Sequence, residues 1–298
     1  MGEPVAFSVI IPLHNKSGSI VRCLNSVRAQ TYMPLEVLVV DNNSTDGGAE
    51  LVRAYGWDCV RVLQEPAQGV SQARNAGIAA AKGTHLAFLD ADDYWLPFFL
   101  ERMADLAAQF PRAGWYAGGY VFRTKRGDRK PEHPGLEGFR AGLLPSYFGV
   151  VAQGDMVATA SSVCIPRAIF EVVAPFAEGE KIGEDQDLWA RIALRFPVAF
   201  DPELMAIYDQ EGENMATKTA VARELWPFIG RLAKIAEGLQ GEERRLLELY
   251  LSRQLVGQAS QLVLAGAFEE ARRLLRHGLA GRSGWRYRYW LVRAYLRW

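Results

Sequence analysis

The chain has 298 residues, room for one large domain and a smaller appendage. Hydrophobic residues at 49% and charged residues at 23% lie near the globular averages and exclude a disordered or collagen-like chain. The 34 Lys and Arg balance 34 Asp and Glu overall, but residues 1–214 carry a net charge of −8 and residues 215–298 a net charge of +8, so two regions with different tasks are expected.

Residues 7–13 form a short apolar, β-branched run and are expected to be the first strand. Runs at 35–40, 60–63 and 85–89 repeat that pattern, and 20–29, 49–54 and 72–81 between them have helical spacing or composition. Strands alternating with helices predict an α/β fold of βαβ units, and near-continuous apolar strands predict a mostly parallel sheet flanked by helices on both faces. From about 114 to 210 the pattern loosens. Strands are expected at 114–122, 158–165 and 204–208, an amphipathic helix at 184–195, and a Pro, Gly and charge-rich loop at 124–142. Beyond residue 215 the chain reads as a C-terminal all-helical appendage, with helices at 223–239, 242–264, 268–279 and 285–298. The segment 266–275 is similar to half of a helical repeat, but no second copy follows at a fixed period.

Cys23, Cys59 and Cys164 are odd in number and form no CxxC, which argues against a disulfide framework or a zinc site and fits a reducing cytoplasm. Met1-Gly2-Glu3-Pro4 has no basic run ahead of an apolar one, so no signal peptide is expected. No apolar stretch reaches the ~18 residues of a bilayer span. His14, His85, His133 and His277 are scattered, so a histidine metal site is not expected either.

The strongest chemical signal is positional. The first strand ends in Pro12-Leu13-His14-Asn15, the second in Asp41-Asn42-Asn43-Ser44-Thr45-Asp46, and the fourth in Asp90-Ala91-Asp92-Asp93. In open α/β sheets, ligands bind beyond the carboxyl ends of the strands. Three acidic loops there repel one another unless a cation or hydrogen-bond donors join them. Asp90 and Asp92, one residue apart, suit Mg²⁺ or Mn²⁺ that shares its shell with a diphosphate. Asp46 and Asp93 also have a plainer reading, as caps of the helices that follow.

Five segments in order carry a family resemblance: Phe-Ser-Val-Ile-Ile-Pro-Leu-His-Asn (7–15), Val-Val-Asp-Asn-Asn-Ser-Thr-Asp-Gly (39–47), Gly-Val-Ser-Gln-Ala-Arg-Asn-Ala-Gly (69–77), Phe-Leu-Asp-Ala-Asp-Asp (88–93) and Gly-Glu-Asp-Gln-Asp-Leu-Trp-Ala-Arg (183–191). Together they resemble the motif set of the family 2 inverting glycosyltransferases over roughly residues 5–210. The resemblance implies a GT-A-type, Rossmann-like fold and transfer of a sugar from a nucleoside diphosphate, UDP first among the candidates, to a hydroxyl of a carbohydrate or lipid-linked acceptor. It implies that Asp185 is the general base, supported by Glu184. Pro12, His14, Asn15, Asp41, Arg74, Asp90, Ala91 and Asp92 would bind the nucleotide sugar, with Asp92 and Asp90 on the metal. An ionised Asp41 only accepts hydrogen bonds, which suits a base with an N–H edge such as uracil, although guanine has one as well. Asp185 also fits a helix start, where the dipole favours carboxylates, and Arg74 also fits a purely structural pairing with acidic neighbours. The segment Thr159-Ala160-Ser161-Ser162 would lie by the acceptor or sugar. Trp189 reads as core rather than as an acceptor platform.

One segment departs from the family pattern. Tyr208-Asp209-Gln210-Glu211 has acids where a Tyr-Arg-x-His segment is usual, so no phosphate or metal contact is assigned there. Two other classes compete. A sugar-nucleotide nucleotidyltransferase would need a Gly-rich, basic loop after the first strand, and Leu13–Gly18 has one glycine and one lysine. A non-catalytic sugar-binding scaffold need not keep Asp90, Asp92 and Asp185 together. A dehydrogenase is disfavoured because no GxGxxG follows the first strand. Nucleic acid is not an expected partner, and a homo-oligomer is left open.

Residues 272–298 contain eight arginines and no acid, and 285–298 add three Trp and three Tyr. On a helix, Arg286, Arg293 and Arg297 cluster, with Tyr287, Leu291, Ala294, Tyr295 and Trp298 beside and opposite them. Two expectations follow: peripheral contact with the inner face of an anionic membrane, or aromatic packing of the appendage on protein.

Overall fold

In the computed structural model, which describes residues 4–180, 182–211 and 223–296, strands and helices alternate from the start. The order is β1 (Phe7–Leu13), α1 (Ile20–Arg28), β2 (Glu36–Asp41), α2 (Gly48–Arg53), β3 (Val60–Gln64), α3 (Val70–Ala80) and β4 (His85–Phe88). Then come β5 (Tyr94–Trp95), α4 (Phe99–Gln109), β6 (Trp115–Thr124), β7 (Gly127–Arg129), β8 (Gly142–Leu143), α5 (Tyr147–Gln153), a 3₁₀ turn at Ala160–Ser162, β9 (Val163–Pro166), α6 (Glu184–Ala193) and β10 (Val198–Asp209). The helices α7 (Pro227–Glu237), α8 (Gly241–Leu264), α9 (Phe268–Leu275) and α10 (Trp285–Leu296) follow. Met1, Gly2 and Glu3 of the leader reading, the expected boundary at 214/215, and Arg297 and Trp298 of the last expected helix lie outside the described residues.

Ten of the described strands form one sheet in the order β3-β2-β1-β4-β9-β6-β10-β5, with β7 on β6 and β8 on β10. The β3-β2-β1-β4 end is parallel throughout, and β6 runs parallel to β10. Between these groups, β9 is antiparallel to both β4 and β6. β1 and β2 are apolar along almost their whole length because both faces are covered, and no residue of β2 is exposed. Two polar residues inside this layer, Ser8 and Glu36, satisfy each other through a 2.8 Å hydrogen bond from the serine hydroxyl. β10 is irregular where Pro202 and Glu203 bulge, and Gly119 of β6 is required there: a Cβ would stand 2.5 Å from the Pro202 and Glu203 carbonyl oxygens.

Several boundaries differ from the sequence expectations. The strand expected at 158–165 is shorter, because the Ser162 hydroxyl accepts from the Thr159 N–H at 3.1 Å and Ala160–Ser162 curls into a 3₁₀ turn before β9 begins. The stretch 124–142 is not all loop, since Gly127–Arg129 folds back on β6 as a hairpin. β10 starts six residues before the expected 204, and α9 ends at Leu275 rather than 279. The helix expected from 223 starts at Pro227, whose missing N–H costs nothing in the first turn.

The chain divides into two units: Met1–Pro145 with Met156–Glu213, and Ser146–Asp155 with Asn214–Trp298. The first contains the whole sheet. The second is helical and includes α5, whose Tyr147 and Phe148 rings lie 5.9 and 5.4 Å from the ring of Tyr250 on α8. Among the described residues no helix is long and apolar enough to cross a membrane.

Candidate active site

The carboxyl ends of β1, β2 and β4 meet because these strands are neighbours in register: Leu13 pairs with Asp41, and Ile10 with Phe88. At the β1–β2 side the loops hold each other. The His14 ring nitrogen Nδ1 lies 2.7 Å from the Asn42 carbonyl, which fixes the proton on Nδ1 and leaves Nε2 as an acceptor. Asn15 takes a left-handed conformation (φ 52°) and its side-chain oxygen accepts from the Thr45 N–H at 2.8 Å. Asp41 is buried, and its two oxygens accept from the Ser44 N–H at 3.0 Å and from Gln64 at 3.1 Å. Each oxygen keeps a second lone pair for a ligand. Pro12 sits within β1, opposite Val40. Asp46 accepts from the N–H groups of Ser17 (2.8 Å) and of Gly48, the first residue of α2 (3.0 Å), while Gly47 takes the cap position. Burial pushes its carboxyl up, but those hydrogen bonds outweigh the burial and hold it below the usual carboxylate range.

At the β4 side, the loop after the strand is tied down from three directions. Ser161, from the 3₁₀ turn, accepts from the Asp90 N–H at 3.1 Å and donates its hydroxyl to Asp93. Asp93 in turn accepts from the Asp209 N–H at 2.8 Å. Asp93 is therefore a buried brace rather than a helix cap, and burial with the Asp90 and Asp92 charges pushes its carboxyl well up. Ser161 is buried too, so this part of the Thr159–Ser162 segment supports the loop from beneath. The methyl of Ala91 belongs to the core, so what Ala91 offers a ligand is backbone.

Asp90 and Asp92 remain partly exposed, and each meets a cation. Arg74 of α3 donates to Asp90 at 2.8 Å through one terminal nitrogen and to Glu184 at 2.8 Å through the other. It is 3% exposed. Burial opposes its charge, but the two carboxylates more than compensate and keep it protonated. Lys16, in the loop after β1, reaches Asp92 at 2.6 Å. Arg22 of α1 donates to the Asp92 carbonyl at 2.6 Å and pairs with the Asp209 carboxylate at 2.7 Å. The acid at position 209, where the family pattern has a base, thus has a cation brought to it by α1. Lys16 and Arg22 are the site residues that sequence reasoning missed. Their partners lie 76 and 70 residues away, so no spacing betrays them.

Glu184 and Asp185 open α6, after Gly183 in the left-handed conformation (φ 86°). The helix is anchored from below by Trp189, fully buried and stacked on Trp115 at 5.6 Å, which settles its core role. Asp185 accepts from the Gln186 N–H at 2.7 Å. Loss of solvent contact and the neighbouring Glu184 push its carboxyl up to about 7, although Arg74 and that hydrogen bond pull the other way. Asp185, Glu184, Arg74 and Asp90 form one charge network, joined to Asp92 and Lys16 through the β4 loop. Such a carboxyl, titrating near neutrality, has the properties of a general base.

Among the described residues no three His, Cys, Asp or Glu side chains converge as a complete metal cage. Asp90 and Asp92 supply only two carboxylates. That donor set fits Mg²⁺ or Mn²⁺, which are held by one or two carboxylates and complete their shells with phosphate oxygens and water.

Comparisons with known proteins bear on the family and the fold. A sequence model described as glycosyl transferase family 2 matches residues 8–161. An uncharacterized glycosyltransferase of Rickettsia conorii is 28% identical over 206 residues, 66% of this chain and 33% of that protein. Glycosyltransferase AglE of Haloferax volcanii is 47% identical over 90 residues, 28% of this chain and 30% of its own. The chain spans about a third of the length of the curated relatives it matches first. Among solved structures, S. aureus TarS 1–349 in complex with UDP-GlcNAc superposes with a TM-score of 0.72 at 19% identity, over 96% of this chain and 90% of that one. GalNAc-T7 with UDP, GalNAc and Mn2+ gives 0.60 at 19% identity, over 86% and 51%. At these identities the likeness is one of fold, and it is the GT-A-type α/β architecture expected from the motifs.

Proposed function

The chain belongs to glycosyl transferase family 2, and from that premise we propose that it moves a sugar from a nucleoside diphosphate to an acceptor hydroxyl, with inversion at the anomeric carbon. The observation that carries this reading is the Arg74 bridge, which ties Asp90 of the donor loop to Glu184 beside the candidate base Asp185. The acceptor oxygen attacks the anomeric carbon while its proton passes to the Asp185 carboxylate. The bond from that carbon to the diphosphate oxygen breaks, and its electron pair leaves with the nucleoside diphosphate. Asp92, with Asp90 beside it, would hold Mg²⁺ or Mn²⁺, and such a cation supplies neutralisation of charge on the diphosphate. Lys16 and Arg74 add fixed positive charge around the same loop.

UDP is the proposed carrier. Asp41 has acceptor capacity left for the N–H edge of uracil, and His14 and Asn15 stand beside it on the β1–β2 loops. UDP is also the nucleotide carried in the TarS 1–349 complex with UDP-GlcNAc and in GalNAc-T7 with UDP. The acceptor is proposed to be a carbohydrate or lipid-linked glycan of cell-surface polysaccharide or glycolipid synthesis. No feature favours a nucleotidyltransferase, since the single lysine of the loop after β1 is engaged with Asp92.

Calorimetry tests the donor assignment. UDP-sugars are expected to bind in the presence of Mn²⁺, GDP- and dTDP-sugars more weakly, and Asp92→Ala is expected to lose more than ~10-fold in Mn²⁺-dependent affinity while keeping its circular dichroism, as removal of a charged ligand to a bound group does. Binding by Asp92→Ala at wild-type affinity would remove the metal assignment. Failure of every nucleoside diphosphate sugar to bind would remove the donor site itself.

A further inference from the structure

The last described helix has an outer face that no described residue of its own unit covers. α10 buries Ala294 among its described side chains and packs that side against α8 and α9. Tyr287 and Leu291, set beside the arginines in the sequence drawing, lie on the less exposed side. Outward, Trp285, Tyr289, Val292 and Leu296 recur at helical intervals and fall within an arc of about 60°. All four are between 48 and 72% exposed. Arg288 borders this stripe on one side, and Arg286 and Arg293 on the other. The Arg286 guanidinium lies 5.6 Å from the Trp285 ring, and that of Arg293 5.8 Å from the Tyr289 ring. No acid follows Glu270 in the sequence. Positive charge is crowded enough that burial and the nearby Arg286 hold the Arg253 guanidinium below its ordinary value, with Asp155 opposing.

We propose that this face of α10 docks on an anionic lipid surface, the aromatic and aliphatic stripe at the headgroup boundary and the flanking arginines on lipid phosphates. An apolar stripe edged on both sides by cations, with tryptophan and tyrosine among the apolar residues, is the pattern of a helix that lies in the interface plane. A second copy is a poorer occupant, because a two-fold contact lays each arginine border near its own like charges. Each arginine at the surface strengthens binding about fivefold at low salt, and salt weakens it.

Co-sedimentation of the full chain with phosphatidylcholine vesicles, with and without phosphatidylglycerol, tests this. The chain is expected to pellet with the anionic vesicles at low salt and to stay in solution with the neutral ones. The double charge reversal Arg286→Glu and Arg288→Glu is expected to cut anionic partitioning by tenfold or more. Trp285→Ser with Tyr289→Ser should abolish it. Both variants change exposed side chains, so circular dichroism and melting temperature should stay as in the parent. Equal recovery in the supernatant with both vesicle types overturns the proposal, as does equal pelleting with both. If neither vesicle binds, and light scattering shows a dimer that the Trp285 and Tyr289 changes dissociate, the face is a contact between copies.

Discussion

Two helix starts in the same domain, at α2 and at α6, each set an aspartate within two residues of the capping glycine, Asp46 just before it and Asp185 two residues after it, and treat it in opposite ways. Each helix is preceded by a glycine in the left-handed conformation, Gly47 at φ 81° and Gly183 at φ 86°. Beside the first, Asp46 accepts two backbone N–H groups while exposed, and its carboxyl lies low. Beside the second, Asp185 accepts one, sits against Glu184, is partly buried, and is pushed up to about 7. The helix dipole favours the carboxylate at both. The dipole alone therefore does not decide which aspartate is basic near neutrality. Desolvation and the adjacent like charge do.

The largest expected effect comes from breaking the reactive member of this pair. Asp185→Asn keeps the shape but removes the proton acceptor, so turnover should fall by ~10²–10⁴-fold. Affinity for the UDP-sugar should stay within a few-fold. A near-native rate in single-turnover measurements would reduce Asp185 to a helix-start residue like Asp46.

Next in size is the cation between the two loops. Arg74→Met leaves Asp90 and Glu184 without their shared partner. Because the carboxylates keep partial exposure, the cost should be near the low end for a broken buried pair, about 3 kcal/mol, read by chemical denaturation. The same change has a second readout. In the parent, Asp185 becomes the active carboxylate as pH rises, so kcat should climb through a limb near pH 7. Arg74 holds that value down, so its removal should carry the limb to higher pH. An unmoved limb would mean that Arg74 braces the fold without tuning the base.

These residues also show how far a sequence can be read. β1, β2 and β4 were legible because strands covered by packing are written as largely apolar runs, and the site acids were legible because they close those runs. α4 is readable in principle, since Phe99, Leu100, Met103, Leu106 and Ala107 recur at helical intervals and are all buried. The 3₁₀ turn at Ala160–Ser162 is not, because its small residues curl with a side-chain hydrogen bond from Ser162 that composition does not announce. Nor could the sequence show that Asp93 is a buried brace while Asp92 faces Lys16. Adjacent residues of one type separate only when Ser161 and the Asp209 N–H arrive from distant segments.

A smaller effect concerns stability at the α6 start. A carboxyl whose folded value is raised stabilises most at low pH, below its unfolded value near 3.8, and that contribution is lost as pH rises through about 7. At pH 8 the parent therefore carries an unfavourable buried charge that Asp185→Asn lacks. After discounting for water and counter-charges, the variant should be about 1 kcal/mol more stable there, a rise of ~2–4 °C in melting temperature. At pH 4 the gain should vanish. A variant less stable than the parent at pH 8 would show that the charged form is better compensated by Arg74 than the opposing effects of burial allow.

The smallest effect belongs to Asp46, and its sign is the reverse. Its carboxyl is held below the ordinary value, so its contribution is present above about pH 4 and fades as pH falls through the lowered folded value. Because Asp46 is exposed, most of the benefit is the two hydrogen bonds to Ser17 and Gly48 rather than charge. Asp46→Ala should cost about 0.5–1 kcal/mol at pH 7, as loss of a side-chain acceptor at a helix start does, and Asp46→Asn much less. The difference between the parent and Asp46→Asn should shrink as pH falls below 4, since protonation leaves the parent with a neutral acceptor for the same N–H groups. Denaturation curves of the three proteins over a falling pH series measure this directly. Catalytic rate should be unchanged in Asp46→Asn. Were it to fall like that of Asp185→Asn, the contrast between the two helix starts would lose its meaning, and the low carboxyl would have to be given a place in donor binding.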